Sequence, residues 1–213
     1  HKMKTNGMKT VYIIAGDSAY DEMFQSLGFE ITRDIGQAFL VVFTGGEDVS
    51  AGLYGHEQHP TTYNNVFRDQ QEARLFEIAV LNEIPCVGIC RGAQFLNVMS
   101  GGEMYQDVDG HGRSHMITDA TTGETVFVSS THHQMMKPSS TGVLVASSTI
   151  GEDRIWWDGE IFKKEKAEFD YEVVYYEHTK SLCFQPHPEF NSPEYEGMKM
   201  YFKSLLERYY EAA

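Results

Sequence analysis

The stretch Pro85-Cys86-Val87-Gly88-Ile89-Cys90-Arg91-Gly92-Ala93-Gln94 constrains the fold more than any other. An apolar run stops at Cys90, glycines stand two residues to either side, and a helix-like pattern begins at once. A short continuous apolar run bounded in this way reads as a strand buried on both faces, as in a parallel sheet covered by helices. A strand-to-helix corner projects one side chain from the carboxyl edge of the sheet. That side chain lies beside the unpaired N–H groups and the positive end of the following helix. Such surroundings favour thiolate, the nucleophilic form of cysteine. On these residues alone, a small buried side chain in an ordinary strand–helix unit is an equally good account.

Other segments extend the alternation. Val11 to Ala15, closed by Gly16, and Phe39 to Phe43, broken by Thr44-Gly45-Gly46, read as further buried strands. Tyr20 to Leu27, ended by Gly28, reads as a helix. Residues 47–67 have little periodicity and read as a loop. Asp69, with Glu72 three residues on, is expected to cap a helix whose core-facing stripe is Ala73, Phe76, Val80 and Ile84. Pro85–Ile89 reads as a strand and Arg91–Met99 as a helix. This spacing predicts an α/β fold with a mostly parallel central sheet flanked by helices. The second half reads as strands at Thr125–Val128, Gly142–Ala146, Arg154–Trp157, Glu172–Tyr176 and Ser181–Phe184, some of them antiparallel additions. The charged run 163–170 is expected in a solvated loop or hairpin edge. Pro193–Tyr210 reads as a closing helix with Tyr195, Met198, Phe202 and Leu205 or Leu206 on one face.

The 213 residues suit one α/β domain, placed at residues 8–213, with residues 1–7 a tag or disordered terminus. Seventeen Lys+Arg against 31 Asp+Glu give a net charge of −14. That balance repels phosphate backbones, so nucleic acid is not an expected partner. No apolar run reaches the roughly 18 residues of a membrane span, and no secretory signal stands at the start. Cys86, Cys90 and Cys183 leave one thiol unpaired however they combine, and a cytoplasmic setting is expected.

A thiolate nucleophile needs a base, and the base an orienter. Gln185-Pro186-His187-Pro188-Glu189 offers both. Its prolines keep it extended, so His187 and Glu189 point the same way. Acyl chemistry also needs a site for the oxyanion. The turn Thr44-Gly45-Gly46-Glu47 can present backbone N–H groups to it, and the N–H of Arg91 is the natural second donor.

With Gly88-Ile89-Cys90-Arg91-Gly92-Ala93-Gln94 and His187-Pro188-Glu189 both in place, the sequence resembles the class I glutamine amidotransferase superfamily. Within it the chain looks most like the γ-glutamyl hydrolase branch, over about residues 11–191. The residues that carry this are Gly45-Gly46-Glu47-Asp48-Val49 with Leu53-Tyr54-Gly55, Arg68-Asp69, the run Gly101 to Asp107, and His132-His133-Gln134. The resemblance implies a flavodoxin-like fold of the class I amidotransferase type. It implies Cys90 as nucleophile, His187 as general base then acid, Glu189 as its orienter, and the backbones of Gly46 and Arg91 as oxyanion donors. Gln94, with Ser130, Thr131, His132 and His133, would bind the glutamyl part of the substrate. The implied reaction is hydrolysis of a γ-glutamyl amide through a γ-glutamyl thioester, releasing glutamate and an amine, with no metal or organic cofactor. Gly151 to Lys180 departs from the branch pattern, as does Pro186 just before His187.

The alternative function is a glutaminase subunit delivering ammonia from glutamine to a separate synthetase or ligase chain; a non-catalytic binding relative is the third. An intact Cys-His-Glu set argues against the last. No synthetase domain is expected within 213 residues. A small-molecule γ-glutamyl amide or glutamine is the expected partner, and a homodimer is compatible with this reading. Asp107, Asp109, His111 and His115 have loose spacing for a metal, and His56 and His59 read as loop histidines, so no metal is expected. Cys86 and Cys183 read as packing residues. Acidic groups at Glu47, Asp48 or Glu103 would favour a cationic leaving amine if they face the pocket.

Overall fold

A computed structural model describes residues 9–166 and 168–210. The expected tag or disordered terminus at residues 1–7 lies outside the described residues. The first half alternates as its punctuation predicts: β1 (Lys9–Ile14), α1 (Ser18–Ser26), β2 (Phe29–Ile31), β3 (Leu40–Phe43), α2 (Val66–Leu81), β4 (Cys86–Ile89) and α3 (Arg91–Met99). The Asp17 side chain caps α1 by accepting from the N–H of Ala19 at 2.9 Å. The expectation for α2 needs correcting. Its cap is Asn65, whose side chain accepts from the N–H of Arg68 at 3.1 Å, so the helix starts before Asp69. Asp69 and Glu72 lie inside it and are buried.

The second half adds β5 (Glu103–Tyr105), β6 (Asp107–Val108), β7 (His115–Asp119), β8 (Thr125–Val128), β9 (Met135–Lys137), β10 (Val143–Ser148), β11 (Asp153–Trp157), β12 (Phe162–Lys166), β13 (Asp170–Tyr176), β14 (Ser181–Phe184) and α4 (Glu196–Tyr210). The main sheet has nine strands in the order β2-β1-β3-β4-β14-β13-β10-β7-β8. The first five are mutually parallel, and β13, β10, β7 and β8 continue the sheet antiparallel. Residues 163–166 of the charged run fall on β12, the outer strand of a small sheet ordered β12-β11-β6, where Lys163 and Lys164 pair with Asp158 and Asp153; its last residue, Asp170, instead opens β13 and is buried.

Side chains alternate across the buried strands. Leu40, Val42, Val87 and Ile89 face one core with residues of α1 and α4; Val41, Phe43 and Cys86 face the other with residues of α2 and α3. No helix among the described residues is long and apolar enough to cross a membrane.

Candidate active site

The parallel register aligns the strand ends. Ile14 pairs with Phe43, Phe43 with Gly88, and Ile89 with Phe184. The residues that follow β3, β4 and β14 therefore emerge along one edge of the sheet: the Thr44-Gly45-Gly46 turn, Cys90, and the Gln185–Glu189 segment. An ideal Cβ placed on Gly45 would stand 2.9 Å from His187 Cε1 and 3.8 Å from the Cβ of Cys90, so the three segments meet.

Cys90 sits at the N-cap of α3 with φ 54° and ψ −111°. A non-glycine residue held there costs on the order of 1–3 kcal/mol, which surrounding packing must offset. The flanking glycines make the corner fit. A Cβ on Gly88 would overlap the Gly92 carbonyl, and one on Gly92 would overlap the Phe43 carbonyl, so helix, corner and neighbouring strand approach at backbone contact. The Cys90 N–H donates to the Phe184 carbonyl at 3.0 Å, tying the corner to the strand that delivers His187.

His187 Nδ1 lies 2.8 Å from Glu189 Oε2. Its backbone N–H donates to Ser129 Oγ at 2.9 Å, and the Phe190 ring stacks on the imidazole with centroids 4.7 Å apart. Burial alone would lower the imidazole pKa. Hydrogen bonds and charge from Cys90 and Glu189 outweigh it and hold His187 at about 10. Gln185 Nε2 approaches Cys90 Sγ at 3.7 Å, and Gln185 Oε1 accepts from Gln94 Nε2 at 3.1 Å. Gln185 adds a donor to the sulfur; its only sequence signal is its place just before Pro186-His187.

The glycine turn is braced from behind. Arg68 donates to the carbonyls of Thr44 at 3.2 Å and Gly45 at 2.9 Å, to Glu47 at 3.1 Å and to Glu72 at 2.5 Å. A Cβ on Gly46 (φ +154°) would overlap the Arg68 guanidinium, so glycine is required there. Glu72 in turn accepts from Arg91 at 2.8 Å, and Asp69 binds the other arm of Arg91. The Arg91 side chain is thus buried and held by Asp69 and Glu72. Tyr20 Oη accepts the N–H of Gly45 at 3.0 Å, leaving the next amide, that of Gly46, as the turn's candidate donor.

Beside Cys90 opens a cavity of about 190 Å³, lined by Gly46, Glu47, Asp48, Tyr63, Cys90, Arg91, Gln94, Thr131, His132 and His133. Ser130 is not in this lining; it is buried, and its hydroxyl donates to the His111 carbonyl at 2.6 Å. Glu103 is absent too and pairs with His56 at 2.6 Å. His59 is a loop residue, its Nδ1 2.7 Å from Thr61. The cavity's acids are Glu47 and Asp48. Hydrogen bonding to its own N–H and to Arg68, against burial, holds the Glu47 carboxyl below the usual carboxylate range. Asp48 lies 2.8 Å from His133 Nε2, and that bond raises the His133 pKa against partial burial. Burial and the nearby His111 push His132 down to about 3, and its Nδ1–H donates to the Gln134 carbonyl at 2.6 Å. Its Nε2 is buried without a partner. Of the loosely spaced acids and histidines 107–115, Asp107 turns towards His133, whereas His111 and His115 gather elsewhere with Glu172.

The Peptidase C26 family profile matches residues 36–148. A Mycobacterium tuberculosis protein named "Putative glutamine amidotransferase" is 34% identical over 130 residues, covering 52% of this chain and 42% of that protein. The carbamoyl phosphate synthase small chain of Thermotoga maritima is 35% identical over 71 residues, covering 33% and 18%. The match thus spans less than half the length of either relative. A solved glutamine amidotransferase from Thermotoga maritima superposes with a TM-score of 0.59 over 96% of this chain and 86% of that one, at 16% identity. At that identity the likeness is one of fold.

Proposed function

This chain belongs to the Peptidase C26 family, and from that membership we propose that it hydrolyses γ-glutamyl amides through a thioester on Cys90. The observation that carries the reading is the hydrogen-bonded His187–Glu189 pair beside Cys90 at the mouth of a cavity that Gly46 and Arg91 also line. Cys90 Sγ attacks the γ-carbonyl carbon, and the carbonyl π electrons move onto oxygen. The N–H groups of Gly46 and Arg91 stabilise that oxyanion. As the carbonyl re-forms, the C–N bond breaks and protonated His187 gives its proton to the leaving amine. His187 then takes a proton from water, which attacks the thioester carbonyl carbon; the C–S bond breaks, returning Cys90 as thiolate beside protonated His187 and releasing glutamate. Glu189 keeps Nδ1 occupied, so Nε2 serves as both acid and base. Gln94, Thr131, His132 and His133 hold the glutamyl moiety. Glu47 and Asp48 favour a leaving amine that carries a positive charge.

The test is glutamate release by the purified protein alone from γ-glutamyl-putrescine, γ-glutamyl-aminobutyrate, folate polyglutamate and glutamine, with Cys90→Ala as control. Cys90-dependent turnover of a γ-glutamyl amine, well above that of glutamine, is the expected result. Turnover of glutamine alone, and only with a second chain present, replaces this reading with the second one. In that reading the protein is a glutaminase subunit passing ammonia to a synthetase chain. The similarity to a carbamoyl phosphate synthase small chain favours it.

A further inference from the structure

We propose that His111, His115 and Glu172 form a site for a divalent transition metal ion, zinc by ligand type, which pins the part of the cavity wall that His132 forms. One ligand atom from each lies within 4.8 Å of the other two. Glu172 Oε1 is 3.3 Å from His115 Nε2 and 3.6 Å from His111 Nδ1. A tetrahedron with metal–ligand bonds of about 2.0–2.1 Å has edges of about 3.3–3.4 Å, so these separations suit an ion at the centre. Each imidazole also has something on its outer side. His111 Nε2 faces Asp170 Oδ2 at 3.1 Å, and His115 Nδ1 faces the Met116 carbonyl at 3.1 Å. Metal-bound histidines present their second nitrogen to a carboxylate or a backbone carbonyl in the same way.

The inner nitrogens have no other use. His111 Nδ1 and His115 Nε2 are buried and complete no hydrogen bond, although Glu172 is close to both; His111 Nε2, close to Asp170, completes none either. In an imidazolium–carboxylate cluster those N–H groups would be aligned on the carboxylate. Asp170 and Glu172 sit two apart on β13 and so share a face. Both are buried, and among the described residues neither makes an ion pair with Lys or Arg. Two buried carboxylates without a lysine or arginine partner are a setting that a bound cation would satisfy. Their remaining partners, Ser148 Oγ at 2.8 Å on Glu172 and the Gly151 N–H at 2.7 Å on Asp170, are neutral and orient them.

The site touches the cavity wall. The His132 ring lies 4.5 Å from the His111 ring, and Ser130 Oγ donates to the His111 carbonyl. An ion fixing His111 would thereby fix the 130–133 segment, so its role is structural.

The experiment is a zinc titration of chelator-stripped full-length protein. It is followed by melting temperature and metal stoichiometry, with Co²⁺ in parallel for its visible absorption. About one equivalent of zinc is expected, with a rise of roughly 5–10 °C at a hundredfold excess over Kd. Cys90→Ala keeps both effects; His115→Ala and the isosteric Glu172→Gln lose them. No binding by the stripped wild-type protein overturns the proposal. So does a zinc effect that survives Glu172→Gln but not Cys90→Ala, which would put the ion on the Cys90–His187 pair. Should the cluster variants fail to fold, the cobalt spectrum decides. Nitrogen and oxygen ligation alone supports the site, and a thiolate charge-transfer band refutes it.

Discussion

Arg68 holds the Gly45 carbonyl at 2.9 Å, and across a trans peptide this sends the Gly46 N–H the opposite way. A charged side chain outside the cavity therefore sets the direction of a donor inside it. Arg68 does not itself line the cavity, and Arg68→Met removes the brace together with the guanidinium's bond to Glu47, which does line it. It should lower kcat by up to about 100-fold with little change in KM, as expected when a donor that acts in the transition state is misplaced. Steady-state kinetics on the best γ-glutamyl substrate measures this; a rise in KM at constant kcat would instead make Arg68 a substrate-binding residue.

Glu72 joins Arg68 to the buried Arg91. Glu72→Gln leaves Arg91 with Asp69 alone in a dry environment, and breaking a buried pair from one side costs about 3 kcal/mol. Urea unfolding should show a lower midpoint with an unchanged slope. A midpoint within experimental error of wild type would show that Asp69 alone satisfies the guanidinium.

The His187 pKa of about 10 fixes two pH effects. Because it is raised above the unfolded value near 6.5, its stabilising contribution is complete below about 6.5 and is lost as pH rises through about 10. The same deprotonation removes the acid for the leaving amine, so kcat/KM should fall on an alkaline limb near pH 10. Glu189 helps hold the proton, so Glu189→Gln should move that limb to lower pH. A limb that stays in place would mean that Glu189 acts on orientation alone.

All three thiols are free, but Cys86 and Cys183 are fully buried in the sheet. Burial pushes Cys86 up to about 12 and raises Cys183 as well. Iodoacetamide at neutral pH should therefore add one group per native chain, on Cys90, with none on Cys90→Ala. Mass spectrometry of the intact protein reads this directly, and a native second adduct would show that the sheet opens.

The β4–Cys90–α3 corner was legible because its evidence is local: an apolar run, a stop, two glycines, a helix. The same holds for β8 and β14, whose bounds follow their apolar runs. Strands such as β2, β5 and β6 carry two or three residues, too few for a period, and only their neighbours make them strands. Asp69 and Glu72 misled for a different reason. An acid near the start of a helix looks like a cap, and nothing nearby in the chain announces that its partner is an arginine on another helix. His111 and His115 likewise read as a loose pair until β13 brings Glu172 beside them.

The strand that leads into His187 is late in the chain yet central in the sheet: β14 lies between β4 and β13. Until residues 181–184 are in place, β4 and β13 are two open edges and Cys90 has neither His187 nor Glu189 beside it. The thiol is therefore early in the chain, and its neighbours His187 and Glu189 come late. Any chemistry of the thiol that needs His187 thus waits on the step that completes the sheet.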